Sequence, residues 1–277
     1  MYNKQNRHFF YLMRLLMKFS FIFILLAISN YIGAIIAQRY ELQHKSILTF
    51  SLQNLFTFFA LIFHGILLND WINTVNGQIL TIFALFSLVA GFTGFITFLV
   101  GLAKPMGYLK MIISFLSILS IVLVISLPQV DIIKIENDPR QFIHILITTA
   151  AVSVFYLAGL QALCLSIQEY QLRHKRIAYM ISAFPSLETM EKLVIQILTV
   201  GFILLTGVLI ISFWYYHTLF NFLLIQKAFI SILAWLIFVI LLFGRIKYGW
   251  RGQIIARWTL GGVILLSILY FGSDFFV

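Results

Sequence analysis

Charge is scarce in this chain. Of its 277 residues only 10% are Asp, Glu, Lys or Arg, against about a quarter in an average soluble domain. Apolar residues make up 62% and mean hydropathy is +1.02, so a water-soluble globule would expose more oily surface than water tolerates. These figures exclude a soluble enzyme, a secreted disulfide module and a disordered regulator. Cysteine is nearly absent. The single Cys164 rules out an intrachain disulfide, a CxxC thiol relay and a CxxCH attachment motif, and within an apolar run it reads as a small packing residue. No internal repeat stands out, nor a pair of interrupted spans of the inverted-repeat transporter kind.

What is present is a series of charge-free runs: Phe19–Gln38, Ser46–Asn69, Trp71–Ala103, Met111–Val130, Gln141–Gln168, Leu193–Gln226, Ala228–Gly244 and Trp258–Ser273. A helix needs about 20 apolar residues to cross roughly 30 Å of hydrocarbon. The runs therefore predict an all-α, polytopic bundle of eight transmembrane helices, one integral membrane domain over 1–277. A β-barrel would alternate polar and apolar residues, which a run such as Phe202–Ile211 does not do. Pro185, Ser186, Glu188 and Glu191 read as the start of the sixth helix, with the serine as cap and the acids where the helix dipole favours them.

The chain carries 19 Lys+Arg against 9 Asp+Glu, and the cations set the orientation. Twelve follow the first, third, fifth and seventh helices: Arg39, Lys45, Lys104, Lys110, Arg173, Lys175, Arg176, Lys192, Arg245, Lys247, Arg251 and Arg257. Lys134, Arg140 and Lys227 lie on the other side. The positive-inside rule then places both termini outside. Lys4, Arg7, Arg14 and Lys18 oppose this within a basic N-terminal arm, residues 1–18. Either that arm is an interfacial amphipathic helix or translation begins at Met13 or Met17. Short basic clusters between apolar runs point to membrane lipids as partners and not to nucleic acid.

An ionisable residue deep in a span is by default a functional candidate, and the eight runs contain no Asp, Glu, Lys or Arg. Ion-coupled carriers and proton relays are thereby demoted, which leaves histidine. His8, His44 and His174 read as solvated. His64, four residues before Leu68, and His144, four after Arg140, each fall roughly 6 Å from a helix end at 1.5 Å per residue, and His217 closes the sixth helix. Neutral imidazole is a ligand for haem iron, and two such rings from different helices can clamp a porphyrin. Phe59, Phe63 and Phe142 would supply walls, and Arg140 stands one turn from His144. The alternative is that each histidine simply hydrogen-bonds a neighbouring helix. Zinc is the poorer candidate, because no Cys or carboxylate shares that depth. Trp71, Trp214, Trp250 and Trp258 read as an aromatic belt, and Gly91/Gly94 and Gly261/Gly262 as sites of close helix approach.

Several segments resemble a known family. Pro185-Ser-Leu-Glu-Thr-Met-Glu191, Gly201–Thr206, Leu233-Ala-Trp235, Leu241–Arg245, Gly249-Trp-Arg-Gly252, Trp258–Gly261 and Tyr270–Ser273, with His144–Tyr156 upstream, are similar to the YpjD-like inner-membrane proteins. These belong to the cytochrome c assembly superfamily that includes CcsA, CcmC and HemX. The resemblance is best over 140–277. It implies a multi-pass protein of the bacterial inner membrane that is not an enzyme and handles haem at its outer face, as part of cytochrome c-type biogenesis. It implies His144 and His64 as iron ligands, with Arg140 and Lys227 beside the propionates. Cytochrome c assembly components are the implied partners. Two departures qualify this. The family's His-Lys pair opening the seventh helix reads Gln226-Lys227, so a site must use the other two histidines or recruit His217. The Trp-rich WGxxWxWD loop of haem-delivering members is missing, which places the chain in the non-delivering branch. The competing reading is a cofactor-free accessory subunit of another membrane protein, such as a metal-ion transporter.

Overall fold

The structure, a computed structural model, describes residues 2–44, 47–74, 77–104, 106–127, 131–135, 139–174, 184–216 and 222–272. Eight helices run through them: α1 (Tyr2–His44), α2 (Ile47–Ile72), α3 (Ile82–Ala103), α4 (Gly107–Ser126), α5 (Pro139–Arg173), α6 (Leu187–Tyr216), α7 (Phe222–Tyr248) and α8 (Gln253–Gly272). Each contains a stretch long and apolar enough to cross a membrane, eight among the described residues. The expected count holds.

Helix boundaries differ from the charge-free runs in instructive ways. The two shortest runs belong to α7 and α8, which extend to 27 and 20 residues by taking in Lys227, Arg245 and Lys247 in α7 and Arg257 in α8. Long basic side chains can reach out of the membrane while their backbone stays helical. The run from Trp71 is not all helix. Asn73–Thr74 (β1) and Gly77–Thr81 (β2) are strands, and with Asp131–Ile135 (β3) they make a small antiparallel sheet in the order β1-β2-β3. Composition hides this sheet because strands this short carry too little periodicity to stand out beside a long apolar run. The register shifts between Leu80 and Thr81, and the Thr81 hydroxyl then accepts the Ala84 amide at 3.3 Å to cap α3.

The chain divides into two compact units. Residues 1–102 and 110–135 form the first, with α1, α2, α3, most of α4 and the sheet; residues 103–109 and 136–277 form the second, with α5–α8. In the first, Ala27, Tyr31, Ala60, Leu67 and Ile121 make a buried cluster flanked by Phe23, Phe63 and Trp71. Helix α3 buries a face rich in small residues, Ala84, Ser87, Ala90, Thr93, Gly94, Thr97 and Gly101. Without a hydrophobic driving force in lipid, such faces let backbones approach and gain van der Waals contact.

In the second unit Phe155 stacks on Phe238 with centroids 4.2 Å apart. Glycines on the neighbouring helices make room for the pair, Gly201 beside Phe155 and Gly262 beside Phe238. Polar links tie α5 to α8: Tyr156 meets Ser267 at 2.6 Å and Thr149 meets Tyr270 at 2.7 Å. Trp235 on α7 donates its indole N–H to Thr206 on α6 at 2.9 Å. Large apolar side chains such as Phe21, Ile203 and Phe213 are exposed, as the lipid-facing surface of spanning helices requires.

Candidate functional site

His64 is wholly enclosed, with no solvent exposure. Its Nδ1 lies 3.0 Å from the Tyr31 hydroxyl on α1 and its Nε2 lies 2.8 Å from the Ser87 hydroxyl on α3. The Tyr31 ring meets the imidazole edge-on, centroids 5.9 Å apart. Gly91 opens the space beside the ring, for a Cβ there would stand 3.6 Å from His64 Cε1. The polar chain continues on α4: Ser120 Oγ lies 3.3 Å from Ser87 Oγ and donates to the Ser117 carbonyl at 2.8 Å.

Proton counting defines what this nest can do. A neutral imidazole has one N–H and one lone pair. Both are engaged here, one nitrogen facing Tyr31 and the other Ser87. Iron takes a lone pair, so ligation through Nε2 requires the Ser87 hydroxyl to turn away. Ser120 stands ready to receive it. The Tyr31 contact would then remain on Nδ1, matching the usual rule that a metal-ligating histidine holds a second partner through its other nitrogen. Rotation of the hydroxyl alone leaves Ser87 Oγ 2.8 Å from Nε2, so a metal at that nitrogen requires the serine side chain itself to swing aside.

The other expected residues are placed less completely. His144 is half-buried in α5, five residues after its start at Pro139, about 7.5 Å along the helix axis. His64 lies eight residues before the end of α2 at Ile72, about 12 Å. The equal offsets counted along the sequence arise from ending α2 at Leu68, one turn early. The two histidines belong to different units. Arg140 stands on α5 and Lys227 on α7, with their side-chain positions outside the described residues. His217 also lies outside them. Among the described residues no group of three or more His, Cys, Asp or Glu side chains could hold a metal ion.

Sequence reasoning missed a buried cation. Lys110 immediately precedes the charge-free run Met111–Val130, which made it look like a loop residue. The helix begins earlier, at Gly107, and Lys110 is 5% exposed within it. Its ammonium donates to Gln53 Oε1 at 3.1 Å and Asn54 Oδ1 at 2.9 Å and lies 5.2 Å from the Phe50 ring centroid. Gly101 on α3 makes room for its stem. The available signal was the Gln53-Asn54 pair inside an otherwise apolar run. Two adjacent amides in a span need partners, and a lysine supplies them.

The glycine- and tryptophan-rich segment after α7 has a structural job. Gly249 and Gly252 both adopt positive φ, 64° and 54°, and the turn they form is fastened from three sides. Gly252 N–H donates to Glu191 at 2.8 Å, Arg245 donates to the Trp250 carbonyl at 2.7 Å, and Trp250 packs on Gly244 and stacks with Trp258. Ser186 caps α6 as expected, its hydroxyl 3.4 Å from the Thr189 amide, and Glu188 pairs with Lys192 one turn on.

The family description "Cytochrome C assembly protein" matches residues 52–277, thus His64, His144 and the α7–α8 turn alike. The chain belongs to the cytochrome c assembly protein family. Among its curated relatives are proteins called inner membrane protein YpjD from Escherichia coli strains K12, O6:H1 and O157:H7. Each is 30% identical over 217 residues, covering 77% of this chain and 82% of the relative. No solved structure matches significantly. This member of the family is a multi-pass inner-membrane protein, with eight helices among the described residues long and apolar enough to span.

Proposed function

We propose that this cytochrome c assembly family member resides in the inner membrane with both termini outside and binds or handles haem near its outer face, without itself catalysing a reaction. His144 and His64 are the iron ligands in this reading, with Arg140 and Lys227 beside the propionates and His217 as a substitute for the missing histidine at Gln226. The observation that carries it is a wholly buried imidazole on a spanning helix, held through one nitrogen by Tyr31 and through the other by a serine with a second partner in reach. Family membership supports the same reading. The lack of the Trp-rich loop argues for an accessory role in assembly or haem homeostasis. The test is the absorption spectrum of protein purified from haem-replete cells. A Soret band is expected, lost in the His64→Ala/His144→Ala double variant. A colourless wild type, or a band unchanged in that variant, refutes the proposal.

A second reading is a cofactor-free accessory subunit of another membrane protein. The engagement of both His64 nitrogens favours it, as does Gln226. A stoichiometric membrane partner that co-purifies without porphyrin would decide for it.

A further inference from the structure

Two adjoining concavities on the second unit share one residue, Arg257. The first is a cleft of about 650 Å³ between the last turns of α5 and the first turn of α8, lined by Ser166, Tyr170, Arg173, His174, Gln253 and Arg257. The second is a shallower groove of about 410 Å³ along α8, lined by Ile237, Trp258, Gly261, Ile264 and Ile268 together with Arg257. The spanning stretch of α5 ends at Arg173 and that of α8 begins at Gln253. The cleft therefore lies where the hydrocarbon gives way to headgroups, and the groove runs from it toward the membrane interior.

The cleft carries cationic and amide side chains on a largely apolar surface and is held in shape. Gln253 accepts from the Ser166 hydroxyl at 3.0 Å and donates to the Ser166 carbonyl at 3.2 Å, which fixes α8 against α5. Arg173 gives one arm to Glu169 at 2.6 Å, while its side chain remains 70% exposed. His174 lies over Tyr170 and donates Nδ1–H to the Tyr170 carbonyl at 2.9 Å, since a carbonyl can only accept. Arg257 is exposed and, among the described residues, has no carboxylate within ion-pair distance. Two guanidinium groups and no carboxylate line the cleft, so its lining carries surplus positive charge. The groove is apolar, and at its middle a Cβ on Gly261 would meet nothing within 4 Å.

We propose that this pair of concavities is a binding site for one anionic phospholipid, its phosphodiester held by Arg257 and Arg173 and one acyl chain laid along α8 over Gly261. Charge complementarity selects the phosphate, because an arginine fork matches its oxygens and is weakly hydrated. The continuous apolar groove selects a lipid over free phosphate. Such a lipid would tie α5 to α8 at the level of the α7–α8 turn, independently of any haem.

The full chain, purified in detergent and delipidated, tests this by native mass spectrometry and thermal shift. Phosphatidylglycerol should bind in preference to phosphatidylcholine. Arg257→Gln should weaken it about fivefold, from roughly 1 kcal/mol per basic residue at the membrane surface. Gly261→Leu, which fills the groove and leaves the charges intact, should also weaken it. Inorganic phosphate and glycerol phosphate should fail to shift the melting temperature. Equal binding of both lipids, a stabilisation by inorganic phosphate matching that by lipid, or phosphatidylglycerol binding that survives both substitutions would overturn the proposal.

Discussion

Gly261 and Gly262 are neighbours on α8 with opposite surroundings, and exchanging each for alanine should affect stability very differently. A Cβ at Gly262 would stand 2.6 Å from Phe238 Cζ and 2.7 Å from Cε1. That ring has nowhere to go. It is 1% exposed and is backed by Phe155, stacked 4.2 Å behind it with the planes 18° apart. Phe155 is in turn pressed against Gly201, where an added Cβ would stand 3.1 Å from its ring. Overpacking of this kind costs about 1–3 kcal/mol, and because α7 must move to relieve it, Gly262→Ala should fall in the upper part of that range. Gly261→Ala adds a methyl that meets nothing within 4 Å. It removes a glycine's backbone entropy from a helix interior, worth up to about 1 kcal/mol, so it should be neutral or stabilising. Thermal unfolding in one detergent, followed by far-UV circular dichroism, measures both. Should Gly262→Ala melt with the wild type, or Gly261→Ala be the more damaging, the packing account of α7, α8 and the Phe155–Phe238 stack is wrong.

Other perturbations have equally definite expectations. Gly252→Ala places a side chain at φ 54° and brings its Cβ 2.7 Å from Glu169 Oε2, so it should cost about 1–3 kcal/mol in the same melting assay; Gly249→Ala, strained but in open space, should cost about 1. Lys110→Met keeps an unbranched stem but leaves Gln53 Oε1 and Asn54 Oδ1 without their donor. It should destabilise by about 1–3 kcal/mol, and a variant as stable as wild type would show that the amides do not hold the ammonium. Ser186→Ala removes the α6 cap and should lower stability by about 0.5–2 kcal/mol.

The eight spans were legible because hydrocarbon imposes one rule: a spanning segment satisfies its own backbone and shows lipid an apolar surface. Helix ends were less legible. Charge was used to mark them, yet Arg245, Lys247, Arg257 and Lys110 are all helical. Three stay in α7 and α8 near the membrane edge, where long cationic side chains can reach water. The fourth is buried because two amides and an aromatic face receive it. The sheet at β1–β3 was invisible for a different reason, since its strands are two to five residues long and one adjoins a long apolar helix. At the candidate site, His64 was singled out as the imidazole of a charge-free run, by its distance from the helix end and by the family resemblance. Its partners were not. Tyr31, Ser87 and Ser120 come from three other helices and look in sequence like ordinary hydroxyls, so only the packing joins them to the ring. The Gly249–Gly252 segment stood out by its resemblance to the family, and in the structure it is a fastened turn.

The claim that matters most is that the buried imidazole of α2 and the half-buried one of α5 serve haem. Absorption spectroscopy on purified protein, wild type beside Ser87→Ala, His64→Ala and His144→Ala, tests it most directly. The account predicts a Soret band in the wild type, retained in Ser87→Ala because that change frees Nε2, and weakened or shifted in each histidine variant. A wild type without porphyrin absorbance after haem loading, or histidine variants with the wild-type spectrum, would contradict it.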